Sequence, residues 1–348
     1  MIVAGLWDQE DIYGAAAVYK ALYAEERDRD NLYLVIGPWF HGQQIEDGSS
    51  LGALRFSSDT GLYFRRQILA PFLARYLKDA AQSPLASTPS HVTVFQTGTN
   101  VWQSLPRWPS GCGGSCNPKP TPLYLHSEGM LQWQPQAQGA PVDEYVSDPA
   151  KPVPYRTRPI LPVGYELPYT WTRWLVDDQR EFSGRTDVLT YVTTPLEHPL
   201  AISGEPVANL VAATTGSDAD WVVKLIDVYP DQVAGQPEMG GYQLAVAMDI
   251  FRGRYREDPG TAKAVEPNKP LVYRFALPTT NHVFLPGHRI MVQVQSSWFP
   301  LYDRNPQTFV PNIFYAKPAD FRKATQRIYH APREASFVEL PLVTADAR

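Results

Sequence analysis

Met1-Ile2-Val3-Ala4-Gly5-Leu6-Trp7-Asp8-Gln9-Glu10-Asp11 and, one helix-length later, Asn31-Leu32-Tyr33-Leu34-Val35-Ile36-Gly37-Pro38-Trp39-Phe40-His41-Gly42 decide the fold. Each opens with a short apolar run that stops at a glycine. Unbroken apolar runs of this length, without polar alternation, read as strands covered on both faces of a parallel sheet. Between them, residues 12–27 carry Ala15, Ala16, Ala17, Val18, Ala21, Leu22 and Ala24, with Lys20, Glu25, Glu26 and Arg27 elsewhere, an amphipathic helix that Asp11 is placed to cap. Strand, helix and strand make a βαβ unit. Met1–Gly5 has no charged lead and no cleavage site, so it reads as a buried strand and not as a signal peptide. A core strand at residue 1 raises the expectation of further chain upstream.

Beyond this unit a second helix is expected over 62–77, with Leu62, Phe64, Ile68, Leu69, Phe72, Leu73, Tyr76 and Leu77 facing a core and Pro71 kinking or breaking it. A polar linker comes next, over 82–89. From residue 91 the character changes to short β-branched or alternating runs at 92–97, 123–126, 188–193, 200–203, 207–214, 221–229, 242–251, 271–276, 290–295 and 337–342, separated by Gly, Pro, Asp and Asn turns. Such a series, without a convincing helix, argues for a β-sandwich of jelly-roll type. The length of 348 residues suits two domains, and 33 prolines keep most of the chain from being helical. A hydrophobic content of 44% excludes a disordered chain, and no apolar run is long enough for a membrane span. A net charge of −5 without a basic stretch makes nucleic acid a poor partner.

The two loops after the parallel strands carry the chemistry, because open α/β sheets hold their sites beyond the carboxyl ends of the strands. An Asp after one strand and a His after the next, Asp8 and His41, match the closing order of a Ser…Asp…His triad. A turn Asp and a surface His are the plainer alternative. The one G-x-S-x-G match, Gly48-Ser49-Ser50-Leu51-Gly52, lies after His41 and lacks the strand, sharp turn and helix that expose a nucleophile, so Ser50 reads as a chance match. Asp8, Glu10 and Asp11 put three carboxylates within four residues, a concentration of like charge that a cation would relieve. Asp11 as a helix cap with Glu10 in solvent is the competing reading. Cys112 and Cys116 in Gly111-Cys112-Gly113-Gly114-Ser115-Cys116 are either a local disulfide or two free thiols, and no second Cys/His pair completes a zinc site. His282 and His288 bracket Phe284–Gly287 and read as turn histidines, not metal ligands. Trp171, Trp174, Trp298 and Phe299 read as packing between domains.

Gly5–Asp11 and Gly37–Gly42, together with Asp178-Gln179-Arg180, Gly184–Leu189, Asp218–Val228 and Gln295–Pro306, resemble the α-amino-acid ester hydrolases, which belong with cocaine esterase and the X-Pro dipeptidyl-peptidases. The resemblance runs along nearly the whole chain but covers only the C-terminal part of such an enzyme. It implies a mixed fold: residues 1–82 as the last βαβ unit of a partial α/β-hydrolase domain, and residues 90–348 as a jelly-roll β-sandwich. It further implies that Asp8 is the triad acid, His41 the triad base, and Glu10 and Asp11 part of a carboxylate cluster for the substrate's α-ammonium group. The expected substrate is a small ester or amide with a free α-amino acyl group. No cofactor, metal or membrane is expected, self-association is, and the compartment is expected to be periplasmic or secreted, with the cytoplasm as the alternative. The serine, the oxyanion hole and a third cluster carboxylate are expected upstream of Met1, in a missing catalytic half, so the isolated chain is expected to be silent. A cocaine-esterase-like or X-Pro dipeptidyl-peptidase activity is the alternative within hydrolases, and a non-catalytic β-sandwich binding or assembly module is the alternative of another class.

Overall fold

Ile2–Gly5 (β1) and Leu34–Gly37 (β2) pair in parallel, from Ile2 opposite Leu34 to Gly5 opposite Gly37, and Gly14–Ala24 (α1) connects them. A computed structural model describes residues 1–25, 29–78, 90–166, 168 and 170–343 of the chain. After β2 come a hairpin of Ser50–Leu51 (β3) and Leu54–Arg55 (β4), then the helical stretch Thr60–Tyr63 (α2), a π-helical turn Phe64–Leu69, and Ala70–Leu77 (α3). Val92–Gln96 (β5) then pairs in parallel with β2, and Val101–Leu105 (β6) closes the sheet antiparallel to β5, giving the order β1-β2-β5-β6. The run at 92–97, expected in the sandwich, thus belongs to the first sheet. Its apolar residues Val92, Val94 and Phe95 are buried there beside Leu34 and Ile36. The linker expected over 82–89, and with it the boundary between the two expected domains, lies outside the described residues, as does the end of the first helix near residue 27.

Both helices depart from their expected faces. In α1 Val18 and Leu22 stand 50% and 48% exposed, and the helix is held by buried Tyr19, stacked on Tyr23 at 5.6 Å. In the second helical stretch the kink expected at Pro71 is realised as the π turn just before it. Pro71 has no N–H to donate back, and the widened turn accommodates it. Phe64 and Ile68 are buried, Tyr76 packs on buried Tyr33 with its hydroxyl donating to the Tyr33 hydroxyl oxygen at 3.0 Å, and Leu73 and Leu77 face outward. Strand β2 is fully buried between β1 and β5, whereas β1 is a half-buried edge strand.

The rest of the chain is mostly β. Lys119–His126 (β7), Met130–Gln132 (β8), Val142–Ser147 (β9), Leu189–Val192 (β10), Leu200–Gly204 (β11), Val207–Thr214 (β12) and Asp220–Val228 (β13) are followed by Gln243–Arg252 (β14), Leu271–Ala276 (β15), Thr280–Phe284 (β16), Arg289–Gln295 (β17), Ala324–Tyr329 (β18) and Phe337–Leu342 (β19). They form one large sheet system in the order β14-β13-β17-β10-β8-β7-β19-β12-β18-β9, with β11, β15 and β16 joined off this path. The architecture is that of a β-sandwich domain with few helices. Strands β8, β9, β16 and β18 escape a reading by apolar pattern because they are short or carry polar residues such as Asp143, Glu144, Asn281 and Arg327. Cys112 and Cys116 are joined by a disulfide in the loop before β7. The two sheets are seamed where Thr97 succeeds β5: its N–H donates to Asn281 O at 3.0 Å, and Val283 N–H donates to Thr97 O at 3.0 Å. Trp171, Trp174 and Trp298 cluster in the core shared by both parts, which fits their expected packing role.

Among the charged residues buried in this body, Lys224 is a lysine without a carboxylate partner among the described ion pairs. Lys224 of β13 is 0% exposed, its Nζ donates to Gln179 Oε1 at 2.8 Å, and it lies 4.3 Å above the Phe182 ring. Burial pushes its ammonium group down to about 7. An unfolded lysine keeps its proton up to about pH 10.4. Between those values the unfolded state binds more protons, so stability climbs with pH across the window, by at most about 1.4 kcal/mol per pH unit. Lys224→Met is expected to remove that climb. Urea unfolding at about pH 7 and pH 9 should give the parent chain a gain of roughly 1–2 kcal/mol over the variant's own change.

Candidate active site

The parallel register decides where two loops meet. Beyond Gly5 and Gly37 the chains stay side by side: Leu6 N–H donates to Gly37 O at 2.8 Å and Trp7 N–H to Trp39 O at 3.2 Å. A Cβ at Gly5 would stand 2.3 Å from Trp39 O, so only glycine permits this approach. Each loop is pinned by an indole, Trp7 Nε1 donating to Ala245 O at 3.1 Å and Trp39 Nε1 to Thr60 Oγ1 at 2.8 Å.

Asp8 and His41 come together at the end of these loops. Both carboxylate oxygens of buried Asp8 lie 3.1 Å from His41 Nδ1. A carboxylate only accepts, so Nδ1 is the donor and Nε2 of the neutral ring carries the lone pair. Asp8 Oδ1 also accepts from the backbone N–H groups of Glu10 and Asp11, each at 2.9 Å, which fixes the carboxylate and shapes the loop. His41 is exposed, and its own N–H donates to Gln9 Oε1 at 3.1 Å. Gln9 is thus a positioning residue for His41 that sequence pattern does not single out, since an amide beside three carboxylates draws no attention.

Glu10 and Asp11 are both exposed on this loop. Glu10 Oε2 is 4.0 Å from His41 Nε2, the ring nitrogen not used by Asp8. Asp11 Oδ1 accepts from Gly14 N–H at 3.1 Å in the turn before α1, but the N-cap position is taken by Tyr13 without a side-chain cap, so Asp11 is not the helix cap expected of it. A Cβ at Gly14 would lie 2.3 Å from that oxygen. The loop walls a cavity of about 260 Å³ that Asp8, Glu10 and Asp11 share with Trp174, Trp298 and Asp249. Asp249, on β14, accepts the Tyr13 hydroxyl hydrogen bond. Burial pushes its carboxyl above the usual range, and the Tyr13 and Ile250 hydrogen bonds offset part of that rise. No local signal marks Asp249, which reaches the site only through the docking of the second sheet on the first.

Elsewhere the sequence candidates resolve differently. Ser50 lies in β3, opposite Arg55, with its carbonyl accepting from Gln43 Nε2 at 2.8 Å. The strand, turn and helix of a nucleophile elbow do not form there. His282 and His288, expected in an ordinary turn, are buried side chains that share one carboxylate: His282 Nε2 is 3.2 Å from Asp227 Oδ2 and His288 Nδ1 is 2.8 Å from Asp227 Oδ1. Strand β16 runs through residue 284, which carries His282 into the sheet. Among the described residues no group of three or more His, Cys, Asp and Glu is arranged to hold a metal ion, and no helix is long and apolar enough to cross a membrane.

The chain is similar to several known proteins. The chain is 29% identical over 351 residues to the cocaine esterase of Rhodococcus sp. (strain MB1 Bresler), an alignment covering 99% of the chain and 56% of the esterase. Among solved structures, an aminopeptidase from the marine sediment archaeon Thaumarchaeota archaeon superposes with a TM-score of 0.91 at 51% identity, covering 98% of this chain and 54% of that one. An α-amino acid ester hydrolase superposes with a TM-score of 0.91 at 53% identity, covering 97% and 54%. The chain therefore spans little more than half the length of each. A family model described as the X-Pro dipeptidyl-peptidase C-terminal non-catalytic domain matches residues 86–339, most of the chain but not the segment that carries Asp8 and His41. The protein belongs to that family, among the cocaine-esterase-like and X-Pro dipeptidyl-peptidase-like proteins.

Proposed function

We propose that this chain is the C-terminal part of a serine hydrolase of the α-amino-acid ester hydrolase type, supplying the acid and base of its triad. The observation that carries the proposal is Asp8 holding His41 Nδ1 with both oxygens at 3.1 Å beyond two adjacent parallel strands, with Glu10 4.0 Å from Nε2. In this reading Nε2 takes the proton of a serine hydroxyl as the serine attacks the acyl carbon, and Asp8 stabilises the imidazolium that forms. The proton then passes to the leaving group. The α-ammonium group of such a substrate sits on the carbon next to the one attacked. A carboxylate close to Nε2 is where that charge needs a partner, and Glu10 with the second oxygen of Asp11 supplies it. Residues 1–82 are then the end of an α/β-hydrolase catalytic domain, with β5 and β6 extending its sheet, and the segment from about residue 90 onward includes its jelly-roll sandwich. The open edge of β1 and the outward Val18 and Leu22 of α1 are the surfaces an upstream half, with the nucleophile, would cover. The names of the two structures above 50% identity both speak of substrates with an amino group. The cocaine esterase match supports a second reading, a neutral acyl group, in which Glu10 and Asp11 contribute nothing to specificity. The disulfide favours a periplasmic or secreted enzyme.

Joined to the upstream half of a relative, the chain is expected to hydrolyse an α-amino ester faster than its des-amino analogue. Changing Glu10 to Gln and Asp11 to Asn should lower kcat/KM for the amino ester about 10–100-fold more than for the analogue, the size of one or two charge-assisted hydrogen bonds. Equal losses would favour the neutral-acyl reading. Asp8→Asn should cost roughly 10⁴-fold in kcat with the fold intact by circular dichroism. The unjoined chain should resist a serine-directed phosphonate; stoichiometric labelling at Ser50 that His41→Ala abolishes would place the nucleophile here instead.

A further inference from the structure

The turn that carries Glu10 and Asp11 breaks a local rule at its far end. Tyr13 occupies the N-cap position of α1, yet its side chain caps no helix N–H. Ser, Thr, Asp or Asn would satisfy an orphan donor there, and tyrosine does not. Its hydroxyl crosses instead to the large sheet and donates to Asp249 Oδ2. Asp249 breaks a second rule, as a carboxylate on β14 opposite Val223 and next to buried Met248. Removing such a group from water is unfavourable unless a partner receives it. The two irregularities are the two ends of one hydrogen bond. A residue that defies its local setting is expected where function asks for it.

The loop needs such a hold. Asp8, Glu10 and Asp11 repel one another, and no basic residue lines the cavity they share. The dyad has anchors of its own, Trp7 on Ala245 O and Trp39 on Thr60 Oγ1. Glu10 and Asp11, both exposed, lie between the Trp7 anchor and Tyr13, and both anchors reach β14. Farther along α1 the Lys20–Glu205 pair, 3.5 Å apart with both side chains in solvent, adds little. Burial and the Asp249 carboxylate push the Tyr13 hydroxyl above its usual range, so it stays a donor at neutral pH. Each Asp249 oxygen already accepts a hydrogen bond, Oδ2 from Tyr13 and Oδ1 from Ile250 N–H at 2.7 Å. That suits Asp249 to holding Tyr13 and not to binding an ammonium group itself.

We propose that Asp249, acting through the Tyr13 hydroxyl, is a positioning residue that sets selectivity for the amino group by holding Glu10 and Asp11 in place beside His41 Nε2. The selectivity role rests on the reading of Glu10 and Asp11 as an ammonium site. The tether does not.

The tether is tested on the purified chain by amide hydrogen exchange. The N–H groups of Glu10 and Asp11, bonded to Asp8 Oδ1, should exchange about tenfold faster in Tyr13→Phe, while those of Leu6 and Trp7 keep the parent rate. Tyr13→Phe removes one hydroxyl from a partly exposed ring, which makes it the variant least able to disturb folding. Selectivity is tested in the chain joined to the upstream half of a relative. Tyr13→Phe and Asp249→Leu should each lower kcat/KM for the α-amino ester about tenfold and for its des-amino analogue less than about twofold. Asp249→Asn, whose amide oxygen still accepts from Tyr13, should keep the parent's preference. The Tyr13→Phe/Asp249→Leu double variant should lose no more than either single one, because both remove the same hydrogen bond. Unchanged exchange at Glu10 and Asp11 overturns the tether, whatever the substrate. Equal losses on the two esters, additive losses in the double variant, or Asp249→Asn as impaired as Asp249→Leu overturns the positioning role. A parent enzyme without preference for the amino ester overturns the ammonium reading and the selectivity role together.

Discussion

The register of two short parallel strands governs the site. Gly5 stands opposite Gly37, and the close approach of Gly5 to the Trp39 carbonyl keeps the two loops in contact after the strands end. Slipping that register by one residue would turn every side chain of β1 to the other face and part Asp8 from His41. The geometry of the dyad is thus a consequence of backbone pairing, and the hydrogen bonds from Glu10 and Asp11 to Asp8 refine it.

The large sheet has a share in the same arrangement. It supplies the carbonyl of Ala245 for Trp7 and the carboxylate of Asp249 for Tyr13, so both ends of the loop carrying Asp8, Glu10 and Asp11 are tied to β14. Thr97 and its partners Asn281 and Val283 weld the small sheet to β16 on the other flank. The loop is tied to both sheets by these hydrogen bonds, which suits groups that must keep fixed positions. The same strand, β14, carries Asp249 to the acidic cavity.

The βαβ unit, the Asp-then-His order and the long β-rich tail are legible in the chain because each rests on local pattern: apolar runs, helix formers, turn residues. The lettering also shows that Ser50 lacks a nucleophile's setting, because strand, turn and helix must be contiguous. Two expectations failed for a shared reason. The outward turn of Leu73 and Leu77 follows one π turn, and the exposure of Val18 and Leu22 follows how α1 is seated, and neither leaves a mark on hydrophobic periodicity.

What the sequence by itself determined is the order of elements and which residue types stand at the strand ends, since these depend on neighbours along the chain. What only the tertiary structure decided is which of them touch. Asp8 reaches His41 across 33 residues, Tyr13 reaches Asp249 across 236, and Asp227 gathers His282 from β16 and His288 from the turn before β17. Such contacts are set by sheet order and by the packing of one sheet on another. Those are properties of the whole folded chain, formed from many weak burials at once, and no short window of residues encodes them.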